Sequence, residues 1–451
     1  MTFSTLGLSQ PVLQALEMKG YDKPTPIQAQ SIPTLLEGRD LLGIAQTGTG
    51  KTAAFMLPSI DNLRDADRQT PFKSCRMLVL APTRELAGQI AQSAKDYGAL
   101  AGLKVHCIVG GTSVNKDRNK LHRGTDILVA TPGRLLDLID QRAFRLDGVE
   151  ILVLDEADQM LDLGFVHALK RIVKLVPDDR QTLLFSATMP NSIKQLAGQY
   201  LDDPAHVSVA PAATTAERVE QYVCFLNQAE KQALLTITLR EGFAAKEMDR
   251  VLVFTRTKHG ADRVVRKLGQ AGIRANAIHG NKSQPQRERA LGEFRDGKVR
   301  VLIATDIAAR GIDISGVSHV INFELPNVAE QYVHRIGRTA RAGKEGVAIA
   351  FCAPDERPYL KDIQKLTKVT LDKVDLPPGF NAEVEKINAR QPGAPPARDD
   401  EPGDERQHRQ RRPKKKYDAR PTGDRKPGGG GNRRRSNRNR SGGKGQGRAA
   451  G

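Results

Sequence analysis

The sequence has no tryptophan, and aromatic residues make up only 4% of its 451 positions. That disfavours a reader of nucleic-acid bases, which needs aromatic faces to stack on. The four cysteines (Cys75, Cys107, Cys224 and Cys352) lie far apart and form no Cys-x-x-Cys pair. Their scatter argues against a zinc site and a disulfide framework, fits a reducing cytoplasm, and leaves each cysteine to pack as a small buried hydrophobe. No apolar run approaches the ~20 residues needed to span a bilayer. Residues 1–9 lack the basic and apolar segments of a signal peptide. The expectation is a soluble, cytoplasmic protein with no membrane partner.

What the chain does have is length and positive charge. At 451 residues it exceeds what a single core supports, so two domains and additional segments are expected. Lys and Arg number 70 against 52 Asp and Glu, a net charge of +18 that favours an acidic partner such as nucleic acid or a membrane surface. Residues 391–451 hold eighteen Lys/Arg and seven Asp/Glu, so eleven of the eighteen excess charges sit in this tail. It is rich in Arg, Lys, Gly, Pro and Asn, has one aromatic (Tyr417) and cannot bury a core, which predicts disorder.

The chain is organised around residues 151–158, Ile-Leu-Val-Leu-Asp-Glu-Ala-Asp. The apolar run suits a strand buried on both faces of a parallel sheet. Asp155, Glu156 and Asp158 then lie at its carboxyl end, where open α/β sheets bind ligands. Taken alone, a solvated turn would read the same. The segment Ala45-Gln46-Thr47-Gly48-Thr49-Gly50-Lys51-Thr52 decides it, because a short apolar strand precedes it and a helix-forming stretch follows. Gly48 and Gly50 let backbone N–H groups turn onto phosphates. Lys51 reaches the β/γ-phosphates, and the Thr52 hydroxyl suits magnesium. This is a nucleoside triphosphate site.

Three further strands end in Pro82-Thr83-Arg84, Gly110-Gly111 and Thr131-Pro132-Gly133-Arg134. Hydroxyls, tight glycine turns and guanidinium groups on one sheet edge are the inventory for holding a phosphodiester backbone. Ser186 and Thr188 end another strand, where they suit a helix cap or a bond to the neighbouring acids. Gln28 alone reads as an ordinary surface amide, although its paired donor and acceptor also suit the edge of adenine. Residues 210–216 are small and irregular and mark a boundary. The second half repeats the strand–helix pattern without a phosphate loop. It contributes Arg335, Arg338 and Arg341 at three-residue spacing, either as a solvated helix end or, for Arg338 and Arg341, as arginine fingers. The pattern also predicts a single helix over 159–176 and a closing strand at 347–351.

With these residues assembled, residues 3–376 resemble the DEAD-box ATP-dependent RNA helicases, and among them the bacterial RhlE-like group with a basic tail. The resemblance implies an α/β fold of two tandem RecA-like domains with parallel sheets, at 1–210 and 217–380, and a tail at 381–451. It implies ATP and Mg2+ as cofactors, with Phe3, Tyr21 and Gln28 at the adenine, residues 47–52 at the phosphates and Asp313 at the ribose. Thr52 and Asp155 (through water) would hold the metal. Glu156 would activate the attacking water, with Lys51, Arg338 and Arg341 stabilising charge. Asp158, Ser186, Thr188 and His334 would couple the ATP and RNA sides. Pro82, Thr83, Arg84, Gly110, Gly111, Thr131, Arg134, Arg287 and Thr305 would contact RNA. Ala340, where many members have Gly, and Gln159, where Arg is common, are slight departures. Ribosomal precursor particles and RNA-decay proteins are the partners typical of such bacterial proteins. Two alternatives stand beside this: an RNA clamp or assembly scaffold with little unwinding, which uses identical residues, and another P-loop ATPase such as a DNA translocase, against which the full motif set speaks.

Overall fold

The computed structural model describes residues 1–46, 48–64, 70–209, 219–309, 316–339 and 346–389. Thr47, Asp313, Arg341, the boundary at 210–216 and the tail from 390 lie outside the described residues.

Each apolar run that suits a doubly buried strand becomes one. The strands of the first domain are β1 (Leu41–Ile44), β2 (Cys75–Leu80), β3 (Val105–Ile108), β4 (Thr125–Ala130), β5 (Ile151–Leu154), β6 (Gln181–Ser186) and a less buried edge strand, β7 (Ala205–Ser208). They form one parallel sheet in the order β3-β4-β2-β5-β6-β1-β7. Every residue of β2, β4, β5 and β6 is buried, because helices cover both faces as parallel crossovers require. Val153 packs toward one face with Phe55, Leu183 and Phe185, whereas Leu154 packs toward the other with Leu80, Ala130 and Leu184. Each such side chain stabilises the domain by about 1.5–3 kcal/mol relative to exposure.

The second domain contains β8 (Val219–Phe225), β9 (Arg250–Phe254), β10 (Ala275–Ile278), β11 (Val301–Ala304), β12 (Val317–Asn322), β13 (Gly346–Cys352) and β14 (Asp372–Lys373). Its sheet is again parallel, ordered β10-β11-β9-β12-β13-β8-β14. Numbered within each domain, the two orders are identical. The chain is therefore two tandem RecA-like domains of the same wind.

The repetition extends to a lysine. Lys51 opens the helix after β1, and Lys231 opens the helix after β8, the corresponding strand. Lys231 is fully buried and donates to Glu356, which is also fully buried. Glu356 further accepts from the backbone N–H groups of Leu325 (3.2 Å) and Ala353 (3.0 Å) and pairs with Arg256 (3.2 Å).

Four details depart from the sequence pattern. The helix expected over 159–176 is two, Ala157–Asp162 and Val166–Val173, broken where Gly164 takes φ 78°. The strand at 347–351 does not close its sheet; β13 lies between β12 and β8, and β14 forms the edge. β7 escaped notice because this edge strand buries only Val207. Finally, the helix Phe380–Ala389 starts at the last residue assigned to the second domain and runs nine residues into the stretch assigned to the tail, where Val384 and Ile387 join Phe380 in packing on that domain's core.

Candidate active site

The phosphate loop follows β1, at the carboxyl edge of the first sheet. Gly50 is the N-cap of the helix Lys51–Leu63 and takes φ 93°, in the left-handed region that L side chains rarely adopt. Its carbonyl accepts from Ala54 N (3.1 Å) and from Gln28 Nε2 (3.2 Å). A Cβ at Gly50 would sit 2.5 Å from Gln28 Nε2 and 3.0 Å from Thr25 Oγ1. The turn is closed by Thr49, whose hydroxyl donates to Gln46 O (2.8 Å). Gly50→Ala therefore meets both backbone strain and a clash, and nucleotide affinity should fall at least about tenfold. Titration with a fluorescent ATP analogue checks this; an unchanged affinity would contradict the geometry.

Lys51 is buried, and its ammonium makes no hydrogen bond among the described residues. It lies 4.0 Å from Asp155 Oδ1, brought there because β1 and β5 both flank β6. A buried ammonium without an acceptor is costly unless an anion reaches it. Burial pushes the Asp155 carboxyl up to about 6, against the pull of Lys51. An added cation would reverse that shift. An unbonded buried ammonium beside a carboxylate driven toward neutrality fits a phosphate–cation complex. Thr52, half-buried on the first turn of the helix, is the neighbouring hydroxyl.

Glu156 carries the local strain. It is buried, caps the helix Ala157–Asp162 and takes φ 52°, ψ 52°, a conformation costing a non-glycine residue about 1–3 kcal/mol. Asp158 turns the other way, along the sheet edge. Its Oδ2 accepts from Ala187 N (3.1 Å), Thr188 N (3.1 Å) and Thr188 Oγ1 (3.0 Å). Ser186 Oγ donates to Thr188 O (2.7 Å), so this turn is held by the acid strand and by itself.

These groups open onto a cleft of about 940 Å³. Phe3, Tyr21 and Gln28 line it with Gly48, Gly50, Lys51, Thr52, Asp155 and Glu156. Tyr21 is exposed at its mouth with its ring 6.4 Å from that of Tyr97, whereas Phe3 is buried. Gln28 is not presented as a free amide: Oε1 accepts from Thr25 N (2.9 Å) while Nε2 donates to Gly50. Gln89, Gln92, Ser93 and Tyr97, on one face of the helix Arg84–Tyr97, complete the wall and were not anticipated. Their three- and four-residue spacing was visible, but not which way the helix faced.

The family model for DEAD/DEAH box helicases matches residues 25–196, and that for the helicase conserved C-terminal domain matches 229–343. The chain is 43% identical over 376 residues to the DEAD-box ATP-dependent RNA helicase CshA of Bacillus cereus, covering 83% of this chain and 70% of that one. It is 47% identical over 368 residues to CshA of Streptococcus pneumoniae, covering 82% and 68%. This chain belongs to the DEAD-box ATP-dependent RNA helicases. Its fold is similar to that of S. cerevisiae Dbp5 bound to RNA and ADP BeF3 (TM-score 0.73, 32% identity, 86% of this chain and 99% of that one). It is likewise similar to Mss116p bound to ssRNA and AMP-PNP (TM-score 0.75, 27% identity, 86% and 82%).

In this helicase the arginines of the sheet edge have unequal surroundings. Pro82 and Thr83 are buried at the end of β2, where Thr83 Oγ1 accepts from Leu86 N (3.3 Å) and caps the next helix. Arg84 lies over the Gly110-Gly111 turn; a Cβ at Gly111, which takes φ 83°, would overlap its guanidinium. No protein acceptor binds Arg84 among the described residues. Burial, with Arg287 and Arg134 nearby, holds it below the usual arginine range. Arg134 is buried and engaged, donating to Asp117, Thr112 Oγ1 (2.9 Å) and Thr112 O (2.8 Å). Thr131, also buried, takes the N-cap position of the same helix without a side-chain capping bond. Arg287 reaches from the second domain to Glu85 (2.6 Å) and to His279 O (3.1 Å). Thr305 follows β11, its N–H directed at Ile278 O (3.4 Å).

The arginine triplet also divides. Arg335 is fully buried and bidentate on Asp306 (2.5 and 2.8 Å), bonds Asn322 Oδ1 (3.0 Å) and Glu324 O (2.6 Å), and stacks on Phe254. Arg338 lies beyond the helix end, with Nε donating to His334 O (3.2 Å). Neither Arg338 nor His334 lines the nucleotide cleft; the described residue of the second domain that does is Arg295. Among the described residues there is no cluster of three or more His, Cys, Asp or Glu suited to a metal, and no helix long and apolar enough to cross a membrane.

Proposed function

We propose that this chain couples RNA-stimulated ATP hydrolysis to local unwinding or remodelling of RNA, with its two domains closing over both substrates. The observation that carries this reading is the joint placement of Lys51 4.0 Å from Asp155 and of Asp158 against Thr188. One strand end thus serves the nucleotide and the turn that faces the next strand. Lys51 and the loop N–H groups of Gly48, Thr49 and Gly50 bind phosphate, with Thr47 and Asp313 completing the nucleotide contacts. Phe3, Tyr21 and Gln28 form the adenine end, which requires Gln28 to exchange its bonds to Thr25 and Gly50 for the base. Thr52 and Asp155 would hold Mg2+, which when bound neutralises phosphate charge. Glu156, pinned in a strained turn, takes the proton of the attacking water.

On closure Arg338 and Arg341 reach the γ-phosphoryl group, and His334 with Ser186, Thr188 and Asp158 transmits that closure. On the RNA side Arg84, over Gly110 and Gly111, is the cation most available to a phosphodiester. Pro82, Thr83, Thr131 and Thr305 shape the track, Arg134 braces it, and Arg287 joins the domains through Glu85. Contacts to phosphates and 2′-hydroxyls make binding independent of sequence and selective for RNA. The basic tail, of the RhlE-like kind, tethers RNA in the cytoplasm, where ribosomal precursor particles or RNA-decay proteins are the fitting partners.

ATPase activity measured with RNA, with matched single-stranded DNA and with neither tests the reading. Stimulation by RNA alone is expected. Equal stimulation by DNA would favour a DNA translocase.

A further inference from the structure

The helix Lys258–Gln270 starts at the carboxyl edge of the second sheet, capped by Thr257, whose Oγ1 accepts from Gly260 N (3.0 Å). Ala261, Val264 and Leu268 face the core. Arg263, Arg266 and Lys267 lie on the other side, and Arg274 follows just before β10. Arg263, Arg266 and Arg274 are exposed, Lys267 is half-buried, and none of the four makes an ion pair among the described residues. The one acid of this stretch, Asp262, is occupied by His279 (3.0 Å) and Lys282 (2.9 Å).

Like charges one turn apart, as Arg263 and Lys267 are, cost a helix about 0.2–0.5 kcal/mol per pair. Burial, and then repulsion from Arg263 and Arg266, holds the Lys267 ammonium below its usual range. Three cations kept together on one helix at such a cost, with Arg274 just beyond it and drawn only to Glu293, point to an absent polyanion. Beside them runs a groove of about 300 Å³ along the start of β10, lined by Val265, Gly269, Gly272, Ile273, Arg274 and Val299 among others. It contains no aromatic ring, so it offers bases nothing to stack on.

We propose that Arg263, Arg266, Lys267 and Arg274 form a second RNA-backbone contact, outside the strand-end track, that holds RNA leaving that track along the outer side of the second domain. This rests on the RNA-helicase reading. Phosphate spacing suits a stripe of point charges on one helix, whereas an acidic protein would need a shaped surface.

The test compares the full-length chain with the variant R263Q/R266Q/K267Q/R274Q, each bound to oligouridylates of about 6 and about 20 nucleotides with a non-hydrolysable ATP analogue. Across a salt series the longer RNA should bind the variant about tenfold or more weakly, with a salt slope smaller by roughly 2–3. The shorter RNA should bind within twofold of wild type. Equal weakening of both RNAs would make these residues part of the track and overturn the proposal. No change for either would make the stripe a solvated face or a protein site, with the same result. Should the quadruple variant fail to fold, R263Q/R266Q alters only exposed side chains and should show the same length-selective loss. Loss of RNA-stimulated ATPase in the wild-type chain would instead overturn the parent reading.

Discussion

Glu156→Gln is expected to lower RNA-stimulated ATP turnover by about 10²–10⁴-fold, the usual contribution of a positioned general base. Binding of ATP and RNA should stay within twofold. The expectation follows from where the side chain sits. Glu156 is buried beside Asp155, at the end of a strand whose every residue is buried. Gln keeps the volume and the reach, but is neutral, carries a donor in place of one acceptor oxygen and cannot take up a proton at neutral pH. The left-handed backbone at this position is unchanged by the swap, so the fold should be indifferent to it. Single-turnover hydrolysis, beside RNA anisotropy with ATP present, separates the two outcomes. Full ATPase in this variant would remove Glu156 from the chemistry.

The second large effect concerns two arginines that look alike in sequence. Arg338→Ala should reduce RNA-stimulated turnover by about 10³–10⁵-fold, because an arginine finger acts on transition-state charge. Arg335→Ala should instead destabilise the second domain by about 3–5 kcal/mol, since it strands Asp306 without its bidentate partner. Thermal denaturation and steady-state ATPase on both variants read the difference. Equal loss of stability in both would mean that Arg338 is structural as well. The divergence is geometric: both arginines are buried, but Arg335 lies within the helix and is bidentate on Asp306, while Arg338 follows the helix end at Ile336.

What could be read from the chain was whatever is local. A doubly buried strand such as β5 announces itself because burial on both faces favours an unbroken apolar run. Lys51, Asp155, Glu156 and Asp158 were legible for a related reason: strand, loop and helix each have a signature within a few residues. Thr188 Oγ1 bonds the neighbouring acid Asp158, one of the two readings its place at the strand end allowed. Edge elements were illegible, since β7 and β14 need bury little. Partners distant in sequence were illegible too. Arg287 and Glu85 are 202 positions apart, and nothing near either one predicts that they meet. Gln28 shows the same limit, because only the folded chain shows its amide already bonded to Thr25 and Gly50.

Lys231 and Glu356 bear on how the two halves divide their labour. At the strand where the first domain sets the Lys51 ammonium 4.0 Å from Asp155, the second closes its lysine onto a buried carboxylate that also holds a guanidinium and two backbone N–H groups. In the proposed closing cycle that cluster offers no cation to a phosphate, so the second half would act through its arginines and the nucleotide would set the timing from the first.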